Sequence, residues 1–346
     1  MVLKREKRRD PAADSLPVES DSDAFDETLR PQNLDEYVGQ TAIKSHLSVY
    51  LQAAKKRTEP LGHTILHGPP GLGKTTLAYI LAKEMNAQMR VTSGPAIEKP
   101  GDLASLLTNL QKGDMLFIDE IHRMRPAIEE VLYSAMEDYA LDLVIGKGPS
   151  ARSMRIDLQP FTLIGATTKA GAVSMPLRDR FIHNFRLQFY TTEEIKKIIL
   201  RTSRIFGIPI VAEAAEFLAQ ASRATPRISN RLMRAVRDFA QVNEEPAISV
   251  SRVKATLLTL GIDERGLDNT DRLILLSIIE KFGGGPVGLG ALAAVLSDEQ
   301  ETLEDVYEPY LLQCGYLQRT PKGRVVTKMA YELLGMSLPE KGPTLF

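Results

Sequence analysis

Three short apolar runs punctuate the first half of the chain: His63-Thr64-Ile65-Leu66-His67, Asp114-Met115-Leu116-Phe117-Ile118 and Phe161-Thr162-Leu163-Ile164-Gly165. Each is continuously apolar over strand length, the pattern of a strand buried on both faces. Helical patterns separate them; Leu77, Ile80, Leu81 and Met85, for example, recur at the spacing of one helix face. From residue 60 to about 185 the chain therefore reads as a parallel sheet with helices on both faces. Residues 141–158 interrupt this rhythm with two alternating arms around Gly146-Lys147-Gly148-Pro149, which predicts a β-hairpin. From 192 to about 260 the pattern is helical throughout. A third segment, from about 268, starts with helices and finishes in short strand-like runs, with Gly283-Gly284-Gly285-Pro286 as an internal turn.

A chain of 346 residues exceeds what one hydrophobic core fills, so more than one domain is expected. The net charge of -1 excludes a uniformly basic nucleic-acid coat, leaving local patches for any contact with DNA or RNA. Cys314 is the only cysteine, which excludes an internal disulfide and a cysteine-rich metal site and fits a reducing compartment. No apolar run approaches the roughly 18 residues of a membrane span, so the expected location is the cytoplasm. Residues 1–25 join a basic cluster to a Pro/Ser/Asp-rich stretch and read as a disordered tail.

The first apolar run leads into Gly68-Pro69-Pro70-Gly71-Leu72-Gly73-Lys74-Thr75-Thr76, a complete G-x-x-x-x-G-K-T loop between strand and helix. Gly71 and Gly73 let backbone N–H groups turn toward phosphate oxygens at a helix N-terminus, Lys74 reaches the β- and γ-phosphates, and the Thr75 hydroxyl is placed to ligate Mg²⁺. The second run ends in Asp119-Glu120. There Asp119 suits the Mg²⁺ water shell and Glu120 can take a proton from an attacking water, which argues for hydrolysis of a nucleoside triphosphate rather than transfer to an acceptor. His122 reads as a neighbour of this pair. The third run ends in Gly165-Ala166-Thr167-Thr168, and Thr168, with Thr167 as the alternative, would meet the γ-phosphate.

Two arginine groups follow. In Pro176-Leu177-Arg178-Asp179-Arg180-Phe181, Arg180 is either a finger reaching a neighbouring subunit's γ-phosphate or part of a surface salt-bridge cluster with Arg178 and Asp179. Thr225-Pro226-Arg227 opens a helix on which Arg227, Arg231 and Arg234 share one face, either solvated or set against nucleotide phosphates.

The order of these motifs resembles that of AAA+ ATPases. Longer strings are similar to one family within them, the RuvB family of bacterial Holliday-junction branch-migration motors: Leu29-Arg30-Pro31 with residues 34–40, then residues 92–103, 144–153 and 304–311, within a match spanning about 26 to 336. The resemblance implies a large α/β ATPase domain at 26–190, a small all-helical lid at 191–262 and a C-terminal winged-helix domain at 263–346, assembled as a homo-hexamer around duplex DNA. It implies RuvA, with the RuvC resolvase, as partners at Holliday junctions. By carry-over, Lys74, Thr75 and Thr76 bind phosphates and Mg²⁺, Asp119 and Glu120 serve hydrolysis, Thr168 senses the γ-phosphate, Arg180 acts across the subunit boundary and Arg227 reports nucleotide from the lid. Leu29, Arg30, Tyr139 and Tyr190, with Glu137 and Asp138, enclose the rest of the nucleotide, and Val144, Ile145 and Met154 on the hairpin dock on RuvA. Ile182 and Ala224 stand where the family usually carries glycine.

Residues 262–346 hold 13 acidic and 8 basic residues, so bulk charge speaks against DNA binding there. Local placement speaks for it: Arg319, Lys322, Arg324 and Lys328 surround Pro321 and Gly323, an expected wing tip from which Arg319 and Arg324 reach phosphates. A clamp-loader-like or protein-remodelling ATPase and a small-molecule kinase are the competing readings; Glu120 disfavours the kinase, and no aromatic-glycine pore element stands between 86 and 113 to favour a remodeller.

Overall fold

The computed structural model describes residues 28–145 and 152–338, with side chains from 143 to 153 left aside. The expected tail at 1–25, the hairpin tip and the side chains of Val144 and Ile145 lie outside the described residues. Five parallel strands form the central sheet: β1 (Thr64–His67), β2 (Met89–Ser93), β3 (Met115–Asp119), β6 (Thr162–Thr167) and β7 (His183–Arg186), in the order β2-β3-β6-β1-β7. The three apolar runs are the three central strands. Side chains alternate across the sheet, so Leu66, Phe117 and Ile164 face one core with Leu77, Leu81 and Leu47, while Leu116, Ile118 and Leu163 face another with Leu103, Leu107, Ile128 and Leu132. Both faces are covered, as expected of a parallel sheet.

His63 fastens the bottom of this sheet. Its Nδ1 accepts the Leu163 N–H at 2.8 Å, which leaves Nε2–H to donate to the Met136 carbonyl at 3.1 Å. The start of β1 is thereby tied to β6 and to the C-terminal end of the helix Pro126–Glu137. The expected hairpin is present as β4 (Ala140–Ile145) and β5 (Arg152–Asp157), antiparallel and separate from the main sheet.

Four helices follow, Thr192–Phe206, Ala212–Gln220, Pro226–Val242 and Val250–Thr259, and their apolar faces extend the core under the P-loop helix Lys74–Glu84. The connection is tight where the Ala224 carbonyl accepts the Tyr190 N–H at 3.0 Å. Ala224 has φ 52, left-handed backbone, a conformation that favours glycine. A third core of Leu275, Ile278, Leu311 and Leu317 gathers the helices Asn269–Phe282, Leu289–Leu296, Glu308–Gln313 and Lys328–Leu333 around the antiparallel pair β8 (Leu317–Thr320) and β9 (Gly323–Val326). Pro321 and Lys322 form the exposed wing tip. Among the described residues, no helix is long and apolar enough to cross a membrane.

Candidate active site

The P-loop leaves the C-terminal end of β1 and turns into the helix Lys74–Glu84, at the sheet edge where parallel α/β folds bind ligands. It borders a cleft of about 510 Å³ lined from four directions: Leu29 and Arg30, the loop itself, Asp119, Glu120 and Thr168 at the ends of β3 and β6, and Arg227, Arg231 and Arg234 from the helix Pro226–Val242. Gly71 has φ 78, and a Cβ there would stand 3.1 Å from that of Arg227, so glycine permits the lid to close onto the loop. The Arg227 N–H donates to the Gly71 carbonyl at 3.3 Å. The basic helix face therefore borders the cleft, with Arg227 and Arg231 still exposed and Arg234 half-buried.

Lys74 is 7% exposed, and its ammonium donates to the Gly68 and Pro69 carbonyls at 2.8 and 2.9 Å. Burial lowers its pKa, opposed by the Glu120 and Asp119 carboxylates. Beneath the loop, the hydroxyls of Tyr37 and Tyr190 meet each other at 3.2 Å and the Leu72 carbonyl at 3.3 and 3.2 Å. Arg201, from the helix Thr192–Phe206, donates to the Leu29 carbonyl at 2.6 Å and holds the N-terminal segment against the cleft.

The acidic pair sits where the cleft meets the sheet. Burial raises the pKa of Asp119, whereas hydrogen bonding from His122, outweighing burial, lowers that of Glu120. Glu120 adopts φ 45, and its Oε2 lies 3.1 Å from His122 Nδ1 and accepts from the Thr168 hydroxyl at 3.2 Å. Thr167 is fully buried, and its hydroxyl lies 2.9 Å from His122 Nδ1. Thr168 alone of the two threonines lines the cleft, and His122 stands beside it as a direct partner of Glu120. Among the described residues, no group of three or more His, Cys, Asp and Glu is set to hold a metal. The Thr75 hydroxyl and Asp119 carboxylate supply hard oxygen donors that fit a Mg²⁺ completed by phosphate oxygens and water.

Arg180 is elsewhere. It caps the short helix Met175–Asp179, just before β7, at the N-terminal edge of the sheet. Its guanidinium lies over the Tyr133 ring at 4.5 Å and 3.1 Å from Glu137, so its partner is Glu137 and not the adjacent Asp179. Strands of four to six residues, at about 3.3 Å per residue, separate this edge from the P-loop. Glu137, Asp138 and Tyr139 lie on the same edge, Tyr139 packing on Phe161 and His63. None of the three, expected to enclose the nucleotide, lines the protomer's own cleft: the helix ends at Glu137, and Asp138 and Tyr139 follow it at the opposite side of the sheet.

At the wing, Arg324 is turned inward, 14% exposed, with its guanidinium 3.0 Å from Glu308. Arg319, half exposed, reaches Glu308 at 2.8 Å and Glu304 at 3.2 Å. Burial would raise the pKa of Glu308, but the two guanidinium groups outweigh it and hold the carboxyl low. Of the two arginines expected to reach phosphate, Arg319 presents the solvent-facing side chain and Arg324 is turned onto Glu308. On the hairpin, Met154 is 42% exposed.

Three domain matches cover nearly all of the described chain: the Holliday junction DNA helicase RuvB P-loop domain at 29–187, the RuvB AAA lid domain at 190–263 and the RuvB C-terminal winged helix domain at 264–335. The chain belongs to the RuvB family. Among solved structures, the Thermotoga maritima RuvB Holliday junction branch migration motor is similar at 51% identity and a TM-score of 0.84, covering 90% of this chain and 100% of that one. An arginine-to-alanine variant of Thermotoga maritima RuvB is similar at 51% identity and a TM-score of 0.83, covering 90% of this chain and 99% of that one.

As a RuvB-family chain it is a P-loop ATPase of the helicase-type branch-migration motors, an AAA+ fold with a helical lid and a winged helix. Sequence reasoning places His122 beside the acidic pair without its contact to Glu120, and misses Arg201, which is 172 positions from the carbonyl it holds. For His122 the available signal is its position two residues after Glu120, which the left-handed turn at Glu120 converts into contact.

Proposed function

We propose that this RuvB-family protein is a DNA translocase that assembles as a homo-hexamer on duplex DNA and drives Holliday-junction branch migration with RuvA, upstream of RuvC, in cytoplasmic recombination and repair. The observation that carries the reading is the position of Arg180: an arginine outside its own cleft, beside Glu137, serves a nucleotide only when a second protomer brings its cleft to that edge. The division into an ATPase domain at 26–190, a lid at 191–262 and a head at 263–346 belongs to the same proposal.

In this mechanism Lys74 leaves the Gly68 and Pro69 carbonyls for the β- and γ-phosphates of ATP, while Arg227 draws the lid over them. Thr75 and Asp119 would hold Mg²⁺, which would offset the charge of the phosphate oxygens. Glu120 takes the proton of the attacking water, and Thr168 orients the γ-phosphate side of the cleft. Arg180 from the neighbouring protomer offsets charge on the transferred phosphoryl group, an effect worth about 10³ to 10⁵ in rate. Glu137, Asp138 and Tyr139, on the same edge, complete the neighbour's side of that nucleotide site. Arg319 contacts DNA phosphates without reading sequence, as a motor requires. Val144, Ile145 and Met154 form the apolar contact with RuvA.

The test is ATP turnover and migration of a synthetic four-way junction, with and without RuvA, together with electron microscopy of the protein on duplex DNA. Stimulated turnover, rings and junction movement are expected. A monomer whose turnover ignores duplex DNA and whose addition leaves junctions in place overturns the proposal.

A further inference from the structure

Lys169 stands directly after the strand-end threonines, and its backbone N–H donates to the Thr167 hydroxyl oxygen at 3.0 Å. Its side chain leaves the ATPase core and meets the winged-helix region: the ammonium lies 3.0 Å from the Asp305 carboxylate and 4.0 Å from that of Glu304. Both acids sit on Leu303–Tyr307, a π-helical turn, a rare geometry that recurs at functional sites. Glu304 is shared, lying 3.2 Å from Arg319 and 3.8 Å from Arg324, and Glu308 one turn on binds both arginines. Alternating charges thus run without a break from the threonines beside Glu120 to the wing.

We propose that Lys169 is a positioning residue that carries the occupancy of the wing by DNA phosphate to Thr168 and Glu120 of the same protomer. This rests on the translocase reading above. A phosphate that engages Arg319 weakens its hold on Glu304, whose negative charge then acts more fully on Lys169. The pull falls on the segment following Thr168, which donates to the Glu120 carboxylate at 3.2 Å. An ion pair this exposed contributes little to folding, its groups being about one-third exposed, which suits a contact that must change strength during turnover. The hydrogen bond that the ammonium donates to Asp305 raises the pKa of Lys169, so its charge is secure at neutral pH.

The experiment is the ratio of DNA-stimulated to DNA-free ATP turnover in the full-length protein, with duplex DNA affinity measured alongside. Lys169→Glu and, independently, Asp305→Asn are expected to lower the ratio by about two- to fivefold, the range a partly exposed ion pair spans, with DNA affinity unchanged. Lys169→Glu combined with Asp305→Lys is expected to restore it. Single variants with the wild-type ratio, or a charge swap as impaired as Lys169→Glu alone, overturn the coupling while leaving the translocase reading intact. A wild-type protein that duplex DNA does not stimulate overturns both.

Discussion

The His122 ring holds the Glu120 carboxylate, Nδ1 to Oε2 at 3.1 Å, on a backbone that reverses at Glu120 with φ 45. The carboxylate requires the proton to sit on Nδ1, and the same atom lies 2.9 Å from the Thr167 hydroxyl. Glu120, the buried end of β6 and the cleft are thus linked through one imidazole. Hydrogen bonding from His122 is the largest influence holding the Glu120 pKa down, against burial, so the group stays ionised to lower pH than an ordinary glutamate. Glu120→Gln should bind ATP and lose about 10² to 10⁴ in kcat, the contribution of a general base. His122→Ala should lower kcat less and move the acid limb of the kcat profile to higher pH, because burial then acts unopposed by its main counterweight. A limb that stays in place would show that His122 does not set the basicity of Glu120.

Arg180 invites a complementation test. Alone, Arg180→Ala should depress kcat about 10³-fold or more while leaving ATP binding nearly unchanged. Mixed with Glu120→Gln subunits, it should recover part of the turnover, because some interfaces then receive a functional residue from each side. Demonstrably mixed assemblies with no recovery would reduce Arg180 to its contacts with Tyr133 and Glu137.

Lys74 gives a simpler expectation. Its ammonium is buried against two carbonyls, so Lys74→Ala removes a charge-assisted contact to phosphate, worth about 1.5–3 kcal/mol. ATP affinity, measured by calorimetry, should fall about ten- to hundredfold.

What the sequence discloses follows physical lines. The P-loop and the three central strands are legible because burial on both faces forces continuous apolar runs and phosphate binding forces glycine and lysine at fixed spacing. The edge strands β2 and β7 are not: Arg90 and Val91 are exposed, and of His183-Asn184-Phe185-Arg186 only Phe185 is buried, so neither carries a strand signal. Tyr139 reads as a nucleotide residue, but motif order is blind to the protomer a side chain serves. Arg324 reads as a wing cation, and only the fold sets Glu308 beneath it. Similarly, Ala224 looks like a departure in the sequence, and its left-handed backbone shows what the change must tolerate.

The two wing arginines should separate by phenotype. Arg319→Ala should weaken duplex DNA binding and reduce the salt slope by about 1, as for a phosphate contact. Arg324→Ala should act mainly on folding, because Glu308 is 4% exposed and loses one of two guanidinium partners, costing about 1–3 kcal/mol. Binding isotherms at several salt concentrations and thermal melts distinguish the two. Equal effects on melting temperature would contradict the inward orientation of Arg324.

His63 makes the ATPase core pH-sensitive in a defined direction. Burial lowers its pKa from 6.5 to about 4, and both ring nitrogens are engaged in the neutral form, one accepting from Leu163 and one donating to Met136. Below pH 6.5 the unfolded chain takes up a proton that the folded chain refuses, so the unfolded state binds more protons and stability falls as the pH drops. The contribution is fully present above the unfolded pKa and fades between about pH 6.5 and 4, by on the order of 3 kcal/mol for a shift of this size. Denaturant titrations of the wild type at steps across that window should show the decline. His63→Gln, which cannot take up the proton, should be less stable at neutral pH because its amide does not reproduce both hydrogen bonds, yet its stability should vary less over the same window. A wild-type curve and a variant curve with the same slope between pH 6.5 and 4 would mean that carboxylates, and not this imidazole, govern the acid side of folding.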